Sequence, residues 1–553
     1  MEGILDTFYK WERIKADQAY LIQPDGSKYR NYTWKEVGYE ARRIAASLQY
    51  HGFHPGDRIG ILSLNCAEWI ILDLAIIMGG YISVPLYANV NAETLHDILD
   101  HSGTRILFVG KIPDPDWETI KNAIPDEVFI VSLQGYEKTD AVPYQQFIRK
   151  EREVVPVSVN PDDTLTIIYT SGTTGKSKGV VHTHRSVMNA IASAWDAALL
   201  SKTGNRFFSY LPLSHAAERG LVEFGALYSG GSISFVHSID TFNANMQHAR
   251  PTHFFGVPRI WEKFQSRILE KIPQDKLDFY LGIPVLNTIV KRKIKKALGL
   301  QNARLLLSGA APISQTLMRW FHKLGFKIQE AYGMSENFNV CTINPQHSAR
   351  IGTVGKLFPG QELVIDPETK EIKQRCDWMM KEYYKEPGLT AQAIRNGFLH
   401  TGDMGELSGD GFLTISGRVK DIFKTTKGEY IIPSKTEMKF LALHEVEQAC
   451  VLGQHYAQPF IVIILSALGK SMDEGKLNAV LSEKLDECNQ GCMDYQKIRK
   501  IIIANEEWTN ENKLLTPTLK MKRNAISEKY ELEFRDLYFE KGCISRERQT
   551  ARV

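Results

Sequence analysis

Residues Tyr169–Gly179 read YTSGTTGKSKG, which places three glycines, a run of hydroxyl side chains and two lysines in one short segment. Glycine lets the backbone approach a polyphosphate closely. Hydroxyls and exposed N–H groups donate to phosphate oxygens, and lysine adds charge. Thr170, Ser171, Gly172, Thr173, Thr174, Gly175 and Lys178 are therefore candidate phosphate ligands. The alternative is a flexible surface loop. Gly172 and Gly175 stand too close together for a P-loop, which needs a longer spacing before its Gly-Lys-Ser/Thr.

Further along, Glu330–Glu336 reads EAYGMSE, and His400–Glu406 reads HTGDMGE. Tyr332 offers a flat ring for a base, with Gly309, Ala310 and Ala311 as candidate walls of the same pocket. Glu336 offers the hard carboxylate that a phosphate-bridging Mg²⁺ prefers. Asp403, in a Thr-Gly-Asp turn, can accept from two ribose hydroxyls. Taken singly, each has a plain alternative: a core aromatic, a charge at a helix start, a structural turn. His215 alone reads as a core or capping histidine. Ser214, His215 and Glu218 are close in sequence but lack a nucleophile elbow. Cys488 and Cys492 have helical spacing without the partners a metal site needs.

Together these segments resemble the adenylate-forming superfamily of acyl-CoA synthetases, adenylation domains and luciferases. The ordered set is YTSGTTGKSKG, Leu211–Gly220 (LPLSHAAERG), Ser308–Ser314 (SGAAPIS), EAYGMSE, HTGDMGE, Gly417–Lys424 (GRVKDIFK) and Leu515–Arg523 (LTPTLKMKR), spanning roughly residues 30 to 530. LPLSHAAERG, VPRIWEK (Val257–Lys263), KGEYIIPSK (Lys427–Lys435) and LTPTLKMKR look most like long-chain fatty acyl-CoA synthetases. The resemblance implies that Glu330, Ala331, Tyr332, Gly333, Met334 and Ser335 line the AMP site, with Glu336 as magnesium ligand. It implies that Asp403 and Arg418 hold the ribose, and that His215 borders the acyl entrance. It implies that Lys520 is the catalytic lysine, although Leu519 replaces the usual glycine and Lys522 stands nearby. Lys420 matches a hinge, with Lys424, Lys427 and Gly428 facing the second half-reaction. The implied reaction joins a fatty acid to ATP as acyl-AMP, then to CoA. Its rivals are delivery to a carrier-protein thiol and a non-catalytic nucleotide- or acyl-CoA-binding protein. An amino-acid-activating domain is disfavoured, since the segment near His215 lacks the aspartate such domains present to an α-amino group.

The elements that must position these residues follow from periodicity. Thr33-x-x-Glu36 is a capping box, followed by Val37, Ala41, Ile44 and Leu48 at helical spacing. Strands are expected at Arg58–Leu64, Tyr81–Leu86, Arg105–Val109 and Thr164–Ile168, with helices at Ala67–Met78 and Ala92–His101. Further strands are expected at Phe207–Leu211, Ser232–His237, His253–Val257 and Arg304–Ser308. The alternation predicts an α/β fold of helix-covered parallel or mixed sheets. Short strand-like segments from Gly352 to Ser416 suggest a small barrel or distorted sheet. The expected division is an N-terminal AMP- and acyl-binding domain (1–417), a hinge (418–421) and a smaller, mobile α+β C-terminal domain (422–553). The aromatics Phe208, Phe254, Phe255 and Phe338 fit either an acyl channel or the core.

Composition bounds the rest. The 553 residues exceed one ordinary core, and 43% hydrophobic with 24% charged usage excludes a largely disordered chain. A net charge of +3 carries no global nucleic-acid footprint. Seven scattered cysteines fit a reducing compartment rather than a disulfide scaffold. The apolar window Trp69–Tyr87 contains Asp73, Gly79, Gly80 and Pro85, so it reads as a buried helix and strand rather than a membrane span. The basic run Lys291–Lys296 reads as a solvated helix face, with phosphate or membrane-surface contact as the minority reading. A cytoplasmic location is expected, with peripheral membrane contact and oligomeric state left open.

Overall fold

Thr33 opens the first long helix as its capping box requires. In the computed structural model, which describes residues 2–148, 157–171, 177–454, 456–509, 512–515 and 521–547, the Glu36 N–H donates to Thr33 Oγ1 at 3.2 Å. The Thr33 N–H donates to Glu36 Oε2 at 2.8 Å in return. Helix Trp34–Tyr50 then buries Val37, Ala41, Ile44 and Leu48 on one face.

Two large sheets form the body of the N-terminal part. A seven-stranded sheet runs Glu382–Tyr383, Ser177–Thr183, Thr164–Ser171, Ile82–Leu86, Arg58–Leu62, Ile106–Val109, Phe129–Ser132. Its last five strands are parallel; the first two are antiparallel. A nine-stranded sheet runs Lys356–Leu357, Thr342–Ile343, Ile328–Tyr332, Leu305–Ser308, His253–Phe255, Arg206–Ser209, Ser232–Phe235, Ala19–Asp25, Lys28–Thr33. From Gln361 to Arg418 the chain forms a five-stranded antiparallel sheet, the distorted small sheet expected there.

Most strand ends differ from the periodic expectation by one to three residues, and two of the differences have a plain physical reason. Thr164–Ile168 extends to Ser171 because Ser177–Thr183 returns antiparallel against it. Phe207–Leu211 stops at Ser209 because the Tyr210 N–H donates to the Glu218 carboxyl at 3.0 Å instead of to a strand.

The C-terminal part shows strand periodicity plainly. In its four-stranded sheet, Ile461, Ile463 and Leu465 pack with Leu477, Leu481 and Leu485 of helix Glu474–Asn489. The alternate residues Phe460, Val462 and Ile464 pack with Trp508, Ile526 and Leu537 on the other face. A sheet covered on both faces reads as one continuous apolar run, as FIVIIL does.

Helix Ala67–Met78 is buried along almost its whole length, and no helix among the described residues is long and apolar enough to cross a membrane. Asp73 is tolerated inside because Arg219, itself fully buried, donates to it at 2.5 Å. Removing one partner strands the other charge, so Asp73→Ala should cost about 3–5 kcal/mol. Urea unfolding of the two proteins checks this; a loss below about 1 kcal/mol would mean the pair does not anchor the helix.

Candidate active site

The candidate phosphate segment is a hairpin. Thr170 pairs with Lys178 and Ser171 with Ser177 across strands Thr164–Ser171 and Ser177–Thr183. Its tip, with the candidates Gly172, Thr173, Thr174 and Gly175, lies outside the described residues. Lys178 Nζ stands over the Tyr383 ring, 5.1 Å from its centroid. Two strand positions beyond Val180, His182 bonds through Nε2 to the Ser335 carbonyl at 2.7 Å. Burial pushes the His182 pKa down to about 4. The ring is thus neutral near pH 7, and the bond to a carbonyl requires the proton on Nε2.

Gly309, Ala310 and Ala311 follow strand Leu305–Ser308, whose neighbour Ile328–Tyr332 carries Glu330, Ala331 and Tyr332. A Cβ on Gly309 would meet the Ala331 carbonyl oxygen at 2.8 Å, so the close approach of the two strands needs glycine. Glu330 is buried, and burial raises its pKa to about 7. The Tyr332 hydroxyl donates to Asp403 Oδ2 at 2.7 Å, while Arg418 Nε donates to Oδ1 at 2.9 Å. Asp403 and Arg418 face each other across paired strands. Each carboxylate oxygen keeps a second lone pair for another donor, so the anchored Asp403 can still accept a ribose hydroxyl.

The chain turns sharply after Tyr332. A Cβ on Gly333 would lie 2.4 Å from the Asn339 carbonyl carbon, and Phe338 and Asn339 have φ of 50° and 59° to close the turn. Within it the Met334 N–H donates to Asn337 Oδ1 at 2.8 Å, and Ser335–Asn337 forms a single 3₁₀ turn. This turn buries Glu336, whose Oε1 accepts from the Tyr383 hydroxyl at 2.7 Å. No cluster of three or more metal-ligating side chains occurs among the described residues. The donor set fits magnesium nonetheless, because that ion takes one or two protein carboxylates and draws its remaining oxygens from phosphates and water.

The other candidates are dispersed. His215 is half-buried and caps the short helix Ala216–Glu218, its Nδ1 accepting the Ala217 N–H at 3.1 Å. Lys420 is exposed in the turn Val419–Asp421, directly after Arg418. Lys424, Lys427 and Gly428 stand on the exposed hairpin of Phe423–Lys424 with Tyr430–Ile431. Among the described residues no hydrogen bond or ion pair joins that hairpin to Tyr332, Glu336 or Asp403. Lys520 lies outside the described residues, but its flanks are held: Leu515 bridges Met521. Arg523 then bonds Glu437 at 2.6 Å and the Val451 carbonyl at 2.7 Å.

The four aromatics divide. Phe208 and Phe254 belong to one aromatic core with Phe242, Trp261 and Phe264. Phe338 is buried in the larger core against the His182 ring and Gly220, and Phe255 packs on that same core beside Gly309.

Sequence reasoning passed over His182 and Tyr383, which tie the phosphate hairpin and the 335–337 turn together. It named Glu218 only as part of a rejected triad. Glu218 is 1% exposed, and burial raises its pKa to about 8. Its folded pKa lies above its unfolded value, so its contribution to stability is complete below about pH 4.5 and is lost as pH rises through about 8. Glu218→Gln keeps an acceptor for the Tyr210 N–H. Its melting temperature should gain on wild type from pH 5 upward and level off above pH 8; parallel curves would show that Glu218 ionises freely in the fold.

Comparison with known proteins addresses the family and the fold. The family described as "AMP-binding enzyme" matches residues 8–383, and "AMP-binding enzyme C-terminal domain" matches residues 420–541. The long-chain-fatty-acid–CoA ligase FadD15 of Mycobacterium bovis is 29% identical, over 96% of this chain and 96% of its own. Among solved structures, the anthranilate CoA ligase AuaEII bound to anthranoyl-AMP superposes with a TM-score of 0.79 at 22% identity, covering 97% of this chain and 98% of that one. The adenylation domain of a carboxylate reductase from Mycobacterium chelonae gives 0.80 at 21% identity, covering 98% and 91%. The family match extends over well more than half the chain and includes the phosphate hairpin, Tyr332 and Glu336, and on that ground the chain belongs to the AMP-binding enzymes.

Proposed function

We propose that this protein activates a long-chain fatty acid with ATP and transfers the acyl group to CoA. The observation that carries the reading is the Tyr332–Asp403–Arg418 constellation, a carboxylate anchored on both oxygens beside an aromatic ring and a glycine-lined wall. That is an arrangement for a base and a ribose. The acyl chain and CoA come from the names of the relatives, of which FadD15 is one.

In the first step a fatty-acid carboxylate oxygen attacks the α-phosphorus and pyrophosphate leaves. Thr170, Ser171, Lys178 and the hairpin tip would hold the leaving phosphates, and Lys520 would neutralise the carboxylate and the α-phosphate together. Glu336 would hold magnesium, which would supply charge neutralisation to the phosphates. Tyr383 positions Glu336 for that contact, and neutral His182 holds the Ser335–Glu336 turn against the hairpin. In the second step the CoA thiolate attacks the acyl carbon and AMP leaves. Lys420, in the proposed hinge 418–421, would let residues 422–553 turn so that Lys424, Lys427 and Gly428 face CoA.

Loss of a group that stabilises developing charge costs on the order of 10²-fold or more, so Glu336→Ala should slow acyl-AMP formation by that much. Near wild-type rates at limiting magnesium would remove Glu336 from the site. The half-reactions separate the remaining roles. Lys520→Ala should lose pyrophosphate release yet still convert supplied acyl-AMP and CoA to acyl-CoA. Lys420→Pro, with φ fixed near −65°, should still form acyl-AMP but make thioester slowly. Single-turnover assays on fatty acids read both. Equal loss of both steps in two folded variants contradicts the two-orientation mechanism; normal adenylation by Lys520→Ala transfers the role to Lys522. Turnover only on acetate, or only with a carrier-protein thiol, overturns the substrate assignment.

A further inference from the structure

Between strands His253–Phe255 and Leu305–Ser308 the chain forms three helices, and the last two, Gln274–Gly282 and Pro284–Ala297, make a helical hairpin. One side of it is anchored. Leu277 and Ile294 are buried in the core with Phe321 and Phe326, the Trp320 indole donates to Gln274 at 2.9 Å, and Lys295 lies over the Phe326 ring. The other side is not covered by the protein. At the bend Phe279 is 65% exposed, Val285 70%, Ile289 43% and Ile283 36%. Isolated exposed apolar residues need no explanation, but four at one bend are a patch.

The charge beside the patch is one-sided. Along helix Pro284–Ala297 the exposed residues Val285, Ile289, Arg292, Lys293 and Lys296 recur at helical spacing, so one face passes from apolar at the bend to cationic further on. That helix contains no acid. Over residues 274–297 six cationic side chains stand against Asp275 and Asp278, a local excess that exceeds the +3 of the whole chain. An apolar edge backed by long cationic side chains matches the layering of an anionic bilayer surface, with acyl tails below and phosphates above. A second copy of this chain would present the same positive face and be repelled.

We infer that this hairpin docks the enzyme on an anionic lipid bilayer, with Phe279, Ile283, Val285 and Ile289 entering the interface and Lys276, Arg292, Lys293 and Lys296 meeting lipid phosphates. The inference extends the proposed function, since a long-chain acid partitions into the same bilayer, but its test needs no turnover and the two can fail separately.

The full chain is sedimented with vesicles of phosphatidylcholine alone and of equal parts phosphatidylcholine and phosphatidylglycerol. Wild type should bind the anionic vesicles, lose binding as salt rises, and leave the neutral ones in the supernatant. R292E/K293E/K296E should bind them about 10²-fold more weakly or worse, and F279S/V285S roughly 10-fold more weakly. Unchanged melting temperature and unchanged far-UV circular dichroism establish that the variants are intact. Wild type that does not sediment, that binds both vesicles alike, or that binds no better than the variants overturns the inference. So does a change confined to oligomeric mass by light scattering, which would assign the face to a second copy.

Discussion

The Arg219 guanidinium is wholly enclosed, and its bonds tie together segments that must not move apart. It donates to Asp73 on helix Ala67–Met78, to Thr166 Oγ1 on the strand that becomes the phosphate hairpin, and to Glu223 within its own wide π-helical turn. Burial and the nearby Asp73 raise the Glu223 pKa. A buried charge that loses a partner costs several kcal/mol, so these bonds act as a constraint more than as a source of net stability. Through them strand Thr164–Ser171 is fixed relative to the segment Leu211–Gly220, where His215 begins its short helix.

From that fixed strand single polar contacts join three sheets. His182 and Tyr383, on the seven-stranded sheet, reach Ser335 and Glu336 in the turn after Tyr332. Tyr332, at the end of its strand in the nine-stranded sheet, reaches Asp403 in the five-stranded sheet, and Arg418 closes the group. Such buried bonds hold one geometry because the alternative leaves a polar group unsatisfied. Residues far apart in sequence are thereby brought into one candidate site.

How much of this was legible from sequence depends on the range of the signal. Local signals were readable. The Thr33–Glu36 capping box and the buried helix Ala67–Met78 each state their structure within a few residues. The fold class and family were legible from ordered motifs, and Tyr332, Asp403 and Arg418 do meet. The partnerships were not legible. Nothing near Tyr383 says that its hydroxyl meets Glu336, and nothing near His182 says that it holds the Ser335 carbonyl, because each contact is set by sheet order. The aromatics show the same limit. Phe254 and Phe255 are neighbours, yet alternate sides of a strand send one into the aromatic core and the other toward Gly309. Charge was half-legible: the run Lys291–Lys296 is visible at once, but the exposed Phe279 and Val285 beside it required the hairpin.

The central claim is that a carboxylate oxygen becomes bonded to the α-phosphorus, and heavy-oxygen labelling follows that atom directly. With a long-chain acid labelled at both carboxylate oxygens, ATP and CoA, the account predicts one heavy oxygen in the released AMP and none in pyrophosphate. Unlabelled AMP, or label in pyrophosphate or inorganic phosphate, would contradict it.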